Sequence, residues 1–181
     1  MDIMEAIKHR RSIRKYNSTE VSDALLRELF EAARWAPSWA NTQCWRFVVV
    51  RNKTIKKRLS ETLSERNPAR PAMIEAPVVI VACGELKKAG FRKKEPRTDK
   101  GDWFMFDVAL ALQNLTLAAH SLGLGTVHVG AFDAKEAGQI LDVPQGVAVV
   151  ELMPVGYPVE RPEPPPRKEL ATFVYKDKYD H

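Results

Sequence analysis

Residues 103–122 constrain this chain more than any other stretch, because they read as one helix that is apolar on nearly every side. At the usual rise per residue such a helix is ~30 Å long. A helix apolar all round has to be covered all round. It is interrupted by Asp107, Gln113, Asn114 and His120, which are costly in lipid, so it reads as a core helix and not as a membrane span. Two arrangements cover it: a central helix wholly inside one subunit, or a helix at a dimer interface. Both stay open on this ground alone. With 181 residues, 45% of them hydrophobic, the chain can bury a sizeable core, and residues 1–181 are expected to form a single domain.

Local signals supply the elements around that helix. Asp2 and Glu5 make a capping pair that starts a short first helix, and Ser22 caps a second over residues 23–36. Leu25, Leu26, Leu29, Phe30, Ala32 and Ala33 recur at helical spacing there. Pro37 stops it, since the residue before a proline is driven out of helical geometry. The run WRFVVV at 45–50 is β-branched and aromatic, and PVVIVAC at 77–83 is a continuous apolar run of the kind buried on both faces of a sheet. Helices are expected at 55–63 and 134–141, and strands at 126–129 and 147–155. Residues 86–102 show no periodicity and read as a mobile loop. The prolines at 162–166 predict an extended arm. The fold class is therefore α+β, with three or four core strands and helices on both sides.

The net charge of +5 raises nucleic-acid binding as an alternative. The charge is concentrated in two short clusters. One is Lys8–Lys15, and the other is 86–102, with seven Lys/Arg against three Asp/Glu. Two short clusters suit local anionic groups better than a long phosphate track. The N-terminus MDIMEAIKHRRS has no apolar core of signal-peptide length, so a cytoplasmic protein is expected. Cys44 and Cys83 stand far apart and form no metal-binding spacing. No Ser/His/Asp triad motif and no GxGxxG turn is present, which leaves hydrolase and Rossmann-type dehydrogenase readings without support.

Two segments carry chemistry. In HRRSIRK an extended backbone points Arg10, Ser12 and Arg14 to one side. Two guanidinium forks and a hydroxyl converging on one spot suit a phosphate monoester, although basic runs are usually solvated surface. In APSWANTQCW, a polar turn between a helix and a core strand offers Ser38, Asn41 and Gln43 to the edge of a heteroaromatic ligand. The plain alternative is a capped loop with Trp39 and Trp45 in the core.

Taken together, RRSIRKY, then APSWANTQCWRF, then FDVALALQNLTLAAHSLGLGTVHVGAFD, then LMPVGYP and PPPRKEL resemble the FMN-dependent nitroreductase family over nearly the whole chain and in the same order. The resemblance implies a three-layer α/β/α domain with a mixed central sheet and an extended C-terminal arm, assembled as a homodimer with FMN at the subunit interface. It implies that Arg10, Ser12 and Arg14, with Arg11 adjacent and Arg167 closing the site, hold the FMN phosphate and ribityl chain. Pro37, Ser38, Trp39, Asn41 and Gln43 would reach the flavin from the other subunit. Val129 and Gly130 would lie along the isoalloxazine, where a glycine allows close approach. The implied reaction is ping-pong hydride transfer from NAD(P)H through FMN to an electron-poor acceptor, such as a nitroaromatic or quinone, without a catalytic side chain or a metal. Related folds also carry out reductive dehalogenation and flavin breakdown.

Three departures from the family pattern stand out. Cys44 replaces a common proline, Trp39 occupies a position that is often small, and Pro165 stands where a second basic residue is frequent, with Lys168 as a substitute. Cys44 is expected to be a small buried hydrophobe. His128, two residues before Gly130, is expected to be a satisfied structural histidine and not a proton donor.

Overall fold

The computed structural model describes residues 1–179. The chain opens with α1 (Ile3–His9), where Asp2 and Glu5 form the expected capping box. Ser22 caps α2 (Asp23–Arg34), which ends two residues earlier than its apolar spacing suggests. There follow β1 (Trp45–Val50), α3 (Lys53–Glu61) and α4 (Arg70–Glu75). Next come β2 (Val78–Glu85), the short strands β3 (Phe91–Arg92) and β4 (Glu95–Pro96), and the long helix α5 (Phe104–Ser121). The remainder is β5 (Gly125–Thr126), α6 (Ala134–Ile140) and β6 (Val147–Gly156). The strand expected at 126–129 is thus confined to β5, with one further isolated bridge from Val129 to Leu152.

The main sheet has the order β1-β2-β6-β5, and its ladders are antiparallel. The parallel component of this mixed sheet is the bridge between Ser12 and Thr126, which brings the N-terminal basic segment to the β5 edge. Strand β2 is the physical centre. Val78, Ile80 and Ala82 join one core with Leu29, Ala33, Leu112 and Leu115 of α2 and α5. Val79, Val81 and Cys83 join a second core with Leu59, Leu63 and Met73. The two-residue period of a strand thus feeds helices on both faces and yields three layers. Each fully buried Val or Ile contributes ~1.5–3 kcal/mol of transfer free energy.

Two regions depart from what local patterning suggests. Helix α4 has Pro71 in its first turn but no side-chain N-cap hydrogen bond. Its last carbonyls, Ile74 O at 3.1 Å and the following Ala76 O, are bonded by the Lys56 ammonium reaching across from α3. Burial lowers the pKa of that lysine. The basic stretch 86–102 is folded and not a bare loop: β3 and β4 pair as a hairpin. Lys87 N–H donates to Asp102 at 2.6 Å and Trp103 N–H to Ala89 O at 3.1 Å. Turn and anchor contacts replace the apolar spacing that a helix or long strand would show.

Helix α5 buries Val108, Ala111, Leu112, Leu115 and Ala119. Within one chain it is not covered all round, because Met105, Phe106 and Ala109 are exposed and Leu110 and Leu117 only half-buried. No helix among the described residues is long and apolar enough to cross a membrane.

Candidate functional site

The basic N-terminal segment is fixed from two sides. Arg11 folds back on the end of α1, its guanidinium donating to Lys8 O at 2.7 Å and Arg10 O at 2.8 Å. A cation at a helix C-terminus is favoured by the carbonyl dipoles there. Ile13 N–H donates to Thr126 O at 2.9 Å, and the Ile13 side chain is buried with Tyr16, Ala72 and Ala76. Tyr16 O–H donates to Ile13 O at 2.7 Å, and burial raises the pKa of this phenol.

With the backbone held, the side chains gather. A cavity of 240 Å³ is lined by Arg10, Arg11, Ser12 and Arg14 together with Pro162, Glu163, Pro165 and Arg167. None of the four arginines forms an ion pair with a carboxylate among the described residues. Burial, then Arg11 and Arg167, lower the pKa of Arg10, the signature of cations gathered without enough countercharge. Such a cluster favours an anion that accepts several N–H bonds at once. Lys168 does not line this cavity, whereas Pro165 does.

The loop after α2 is built differently. Residues Trp39–Asn41 form a tight turn, and Ala40, Asn41 and Gln43 all hold positive φ, at 45°, 57° and 47°. L-residues adopt this region at a cost, so something has to hold them there. Asp107, 1% exposed on the first turns of α5, is that anchor. Its carboxylate accepts from Trp39 N–H at 3.1 Å, from Thr42 O–H at 3.3 Å and from the Cys44 thiol at 3.7 Å. Ser38 Oγ accepts from Gln43 N–H at 3.0 Å, and Gln43 Nε2 donates to Asn41 Oδ1 at 3.0 Å. Burial and Asp107 push the Cys44 thiol up to about 12, so this cysteine is an inert packed group. The Trp39 ring rests against Trp103 at 5.3 Å between centroids, and Trp103 against Phe106 at 5.4 Å.

Val129 is buried and exchanges both backbone hydrogen bonds with Leu152 at 3.1 Å. Gly130 is exposed, its φ is not positive, and a Cβ placed on it meets nothing within 4 Å. Neither this chain's backbone nor its packing requires glycine there. His128 lies between Thr116 Oγ1 at 3.2 Å and Glu151 Oε1 at 2.5 Å, a satisfied structural histidine.

The structure therefore brings Arg10, Arg11, Ser12, Arg14 and Arg167 around one cavity and sets Val129 and Gly130 along the same end of the sheet. Pro37, Ser38, Trp39, Asn41 and Gln43 lead into β1, at the opposite edge of the four strands, and do not line that cavity. Sequence reasoning did not single out Asp107 as the loop anchor. Its one signal was a carboxylate standing in an otherwise apolar helix.

Comparison with known proteins gives a consistent result. The sequence profile described as the nitroreductase family matches residues 7–75 and 64–157. A protein of Methanothermobacter thermautotrophicus, provisionally named NADH dehydrogenase/NAD(P)H nitroreductase, is 36% identical over 166 residues, covering 90% of this chain and 80% of its own. The FMN reductase [NAD(P)H] of Bacillus subtilis is 28% identical, covering 98% of this chain and 74% of its own. The solved structure of Bacillus megaterium NfrA2 superposes with a TM-score of 0.87 at 29% identity, covering 100% of this chain and 76% of that one.

Proposed function

The chain belongs to the nitroreductase family of oxidoreductases, and from that premise we propose that it is an FMN-dependent enzyme that oxidises NAD(P)H and reduces an electron-poor acceptor such as a nitroaromatic or a quinone. The observation that carries this reading is the cavity lined by Ser12 and four arginines that have no ion pair among the described residues. A phosphate monoester suits that donor set, because guanidinium forks bind phosphate oxygens in pairs. Gly130, where this chain leaves open the space a Cβ would take, suits a flat group lying against the backbone.

In this reading Arg10, Arg11, Ser12, Arg14 and Arg167 hold the phosphate end of FMN, and Val129 and Gly130 lie along its ring system. Pro37, Ser38, Trp39, Asn41 and Gln43 serve the cofactor of a second copy of the chain. Their position at the far edge of the sheet and the uncovered apolar stripe of α5 both support a homodimer. Bound FMN would supply hydride transfer in ping-pong order, the oxidised nucleotide leaving before the acceptor enters. The protein's own part is to bind, orient and exclude water. No side chain is assigned as an acid or nucleophile: His128 is engaged by Thr116 and Glu151, and the Cys44 thiol is buried against Asp107. Residues 1–181 act as one cofactor-binding domain.

The test is direct. Purified protein is expected to be yellow, to release one FMN per chain on heating, and to be bleached by NADH or NADPH. A colourless protein that takes up no FMN in a fluorescence titration would overturn the assignment.

A further inference from the structure

Asp107 is a buried carboxylate that forms no ion pair among the described residues. Burying a charge without a countercharge is costly, and hydrogen bonds alone have to offset it. The hydrogen bonds this carboxylate accepts all come from one loop, from the Trp39 N–H, the Thr42 hydroxyl and the Cys44 thiol. A charged acceptor is thus directed wholly at the shape of the segment between α2 and β1.

That segment has two sides. Donors of residues 39, 42 and 44 meet Asp107, while Asn41 and Gln43, both in left-handed backbone, are exposed. The two exposed amides bond each other, which leaves Asn41 Nδ2 and Gln43 Oε1 without a hydrogen bond among the described residues. An amide donor beside an amide acceptor matches the polar edge of a heteroaromatic ring. Arg46, donating to Gln43 O at 3.1 Å, fixes the exit of the loop. The ring that this edge serves is not the one at the chain's own cavity. The loop leads into β1, whereas the Ser12–Thr126 bridge holds the arginine segment at β5, the other edge of the sheet. Asp107 itself directly follows Met105 and Phe106, which are exposed on the apolar stripe of α5.

Resting on the function proposed above, we propose that Asp107 is a positioning residue that acts across the dimer. Through the loop it anchors, it sets Asn41 and Gln43 against the flavin held at the arginine-lined cavity of the second copy. It touches no cofactor itself. Its part is to keep left-handed residues in the one arrangement that presents both amides outward, so that no ordering of the loop is left to be done when FMN binds.

Mixed dimers test this. Asp107→Asn is expected to weaken FMN binding by about ten-fold or more, as for hydrogen bonds to charged groups, although every arginine of the cavity is intact. Arg14→Ala weakens it from the other side of the site. In a dimer of one Asp107→Asn chain and one Arg14→Ala chain, the intact arginines of the first meet the intact loop of the second, and both defects fall on the other site. Chains carrying two different tags are mixed, and the mixed dimer is purified through both. It is expected to bind one FMN with wild-type affinity, where each parent protein binds only weakly. Thr42→Val removes one anchored donor and keeps the carboxylate. It should weaken FMN binding in the same direction, and it takes the place of Asp107→Asn in the mixture if that chain does not fold. Unchanged FMN affinity in Asp107→Asn overturns this proposal alone. So does a mixed dimer without a tight site, which would confine the effect of Asp107 to its own chain. A wild-type protein that binds no FMN overturns the functional reading beneath it.

Discussion

At the scale of single residues, placement of charge decides what the site can do. Arg14 lines the arginine-rich cavity and, among the described residues, makes one hydrogen bond, donating to Ser12 O at 3.5 Å. Arg14→Ala should therefore leave the thermal unfolding temperature nearly unchanged. FMN affinity should fall by about 1.5–3 kcal/mol, the usual value for hydrogen bonds to charged groups. Fluorescence titration measures this, and unchanged affinity would remove Arg14 from the site. His120 lies behind the same cluster, 6% exposed, with Nδ1 accepting from Arg161 at 3.4 Å. Burial lowers its pKa, helped by Arg161, Arg10, His9 and Arg11. In the unfolded chain a histidine titrates near about 6.5. Below that pH the unfolded state takes up a proton that the folded state refuses, so acid costs stability until the lowered folded-state pKa is passed. His120→Asn should accordingly show a shallower loss of unfolding temperature than wild type between about pH 6.5 and pH 5. Parallel curves for the two proteins would show that His120 contributes nothing to that loss.

Elements are joined here by a few buried polar links, and the link from α5 to the loop after α2 is the clearest. The Asp107 carboxylate holds three donors at once. Asp107→Asn keeps the shape but replaces one acceptor by a donor facing other donors, so it should cost about 1.5–3 kcal/mol. Urea unfolding reads that loss. Because the same carboxylate holds the Cys44 thiol inside, the variant should also react faster with an aromatic disulfide reagent. Wild-type stability together with wild-type thiol protection would mean that the loop keeps its left-handed residues without Asp107.

For the whole molecule, the arginine-lined cavity and the loop leading into β1 stand at opposite edges of one sheet, and α5 leaves an apolar stripe uncovered. From residue 159 to the last described residue the chain is exposed throughout, with Leu170, Phe173 and Val174 offering apolar side chains to whatever they meet. If two copies complete each site, FMN binds the dimer better than the monomer and shifts the equilibrium by mass action. Sedimentation of dilute protein should show a larger dimer fraction with FMN than without it, and the flavin-free dimer should dissociate at a higher protein concentration. A monomer that holds one FMN tightly would contradict the shared site.

What the amino-acid sequence determined by itself was the part governed by near neighbours. The capping box at Asp2 and Glu5, the Ser22 cap, the WRFVVV strand and the doubly buried β2 each follow from interactions within a few residues. The family resemblance also brought together residues that no local rule connects. Tertiary structure decided the rest. Helix α4 depends on a lysine from α3, the basic hairpin on its anchors at Ala89 and Asp102, and the strained loop on a carboxylate in α5. Arg10 and Arg167 share a cavity because a β-bridge and a packed Ile13 hold one in place while the chain beyond β6 returns with the other. Periodicity and capping are short-range and can be read along the chain. A cluster of like charges, or a buried acceptor with three distant donors, exists only when folding pays the cost of assembling it, so its partners show themselves only in three dimensions.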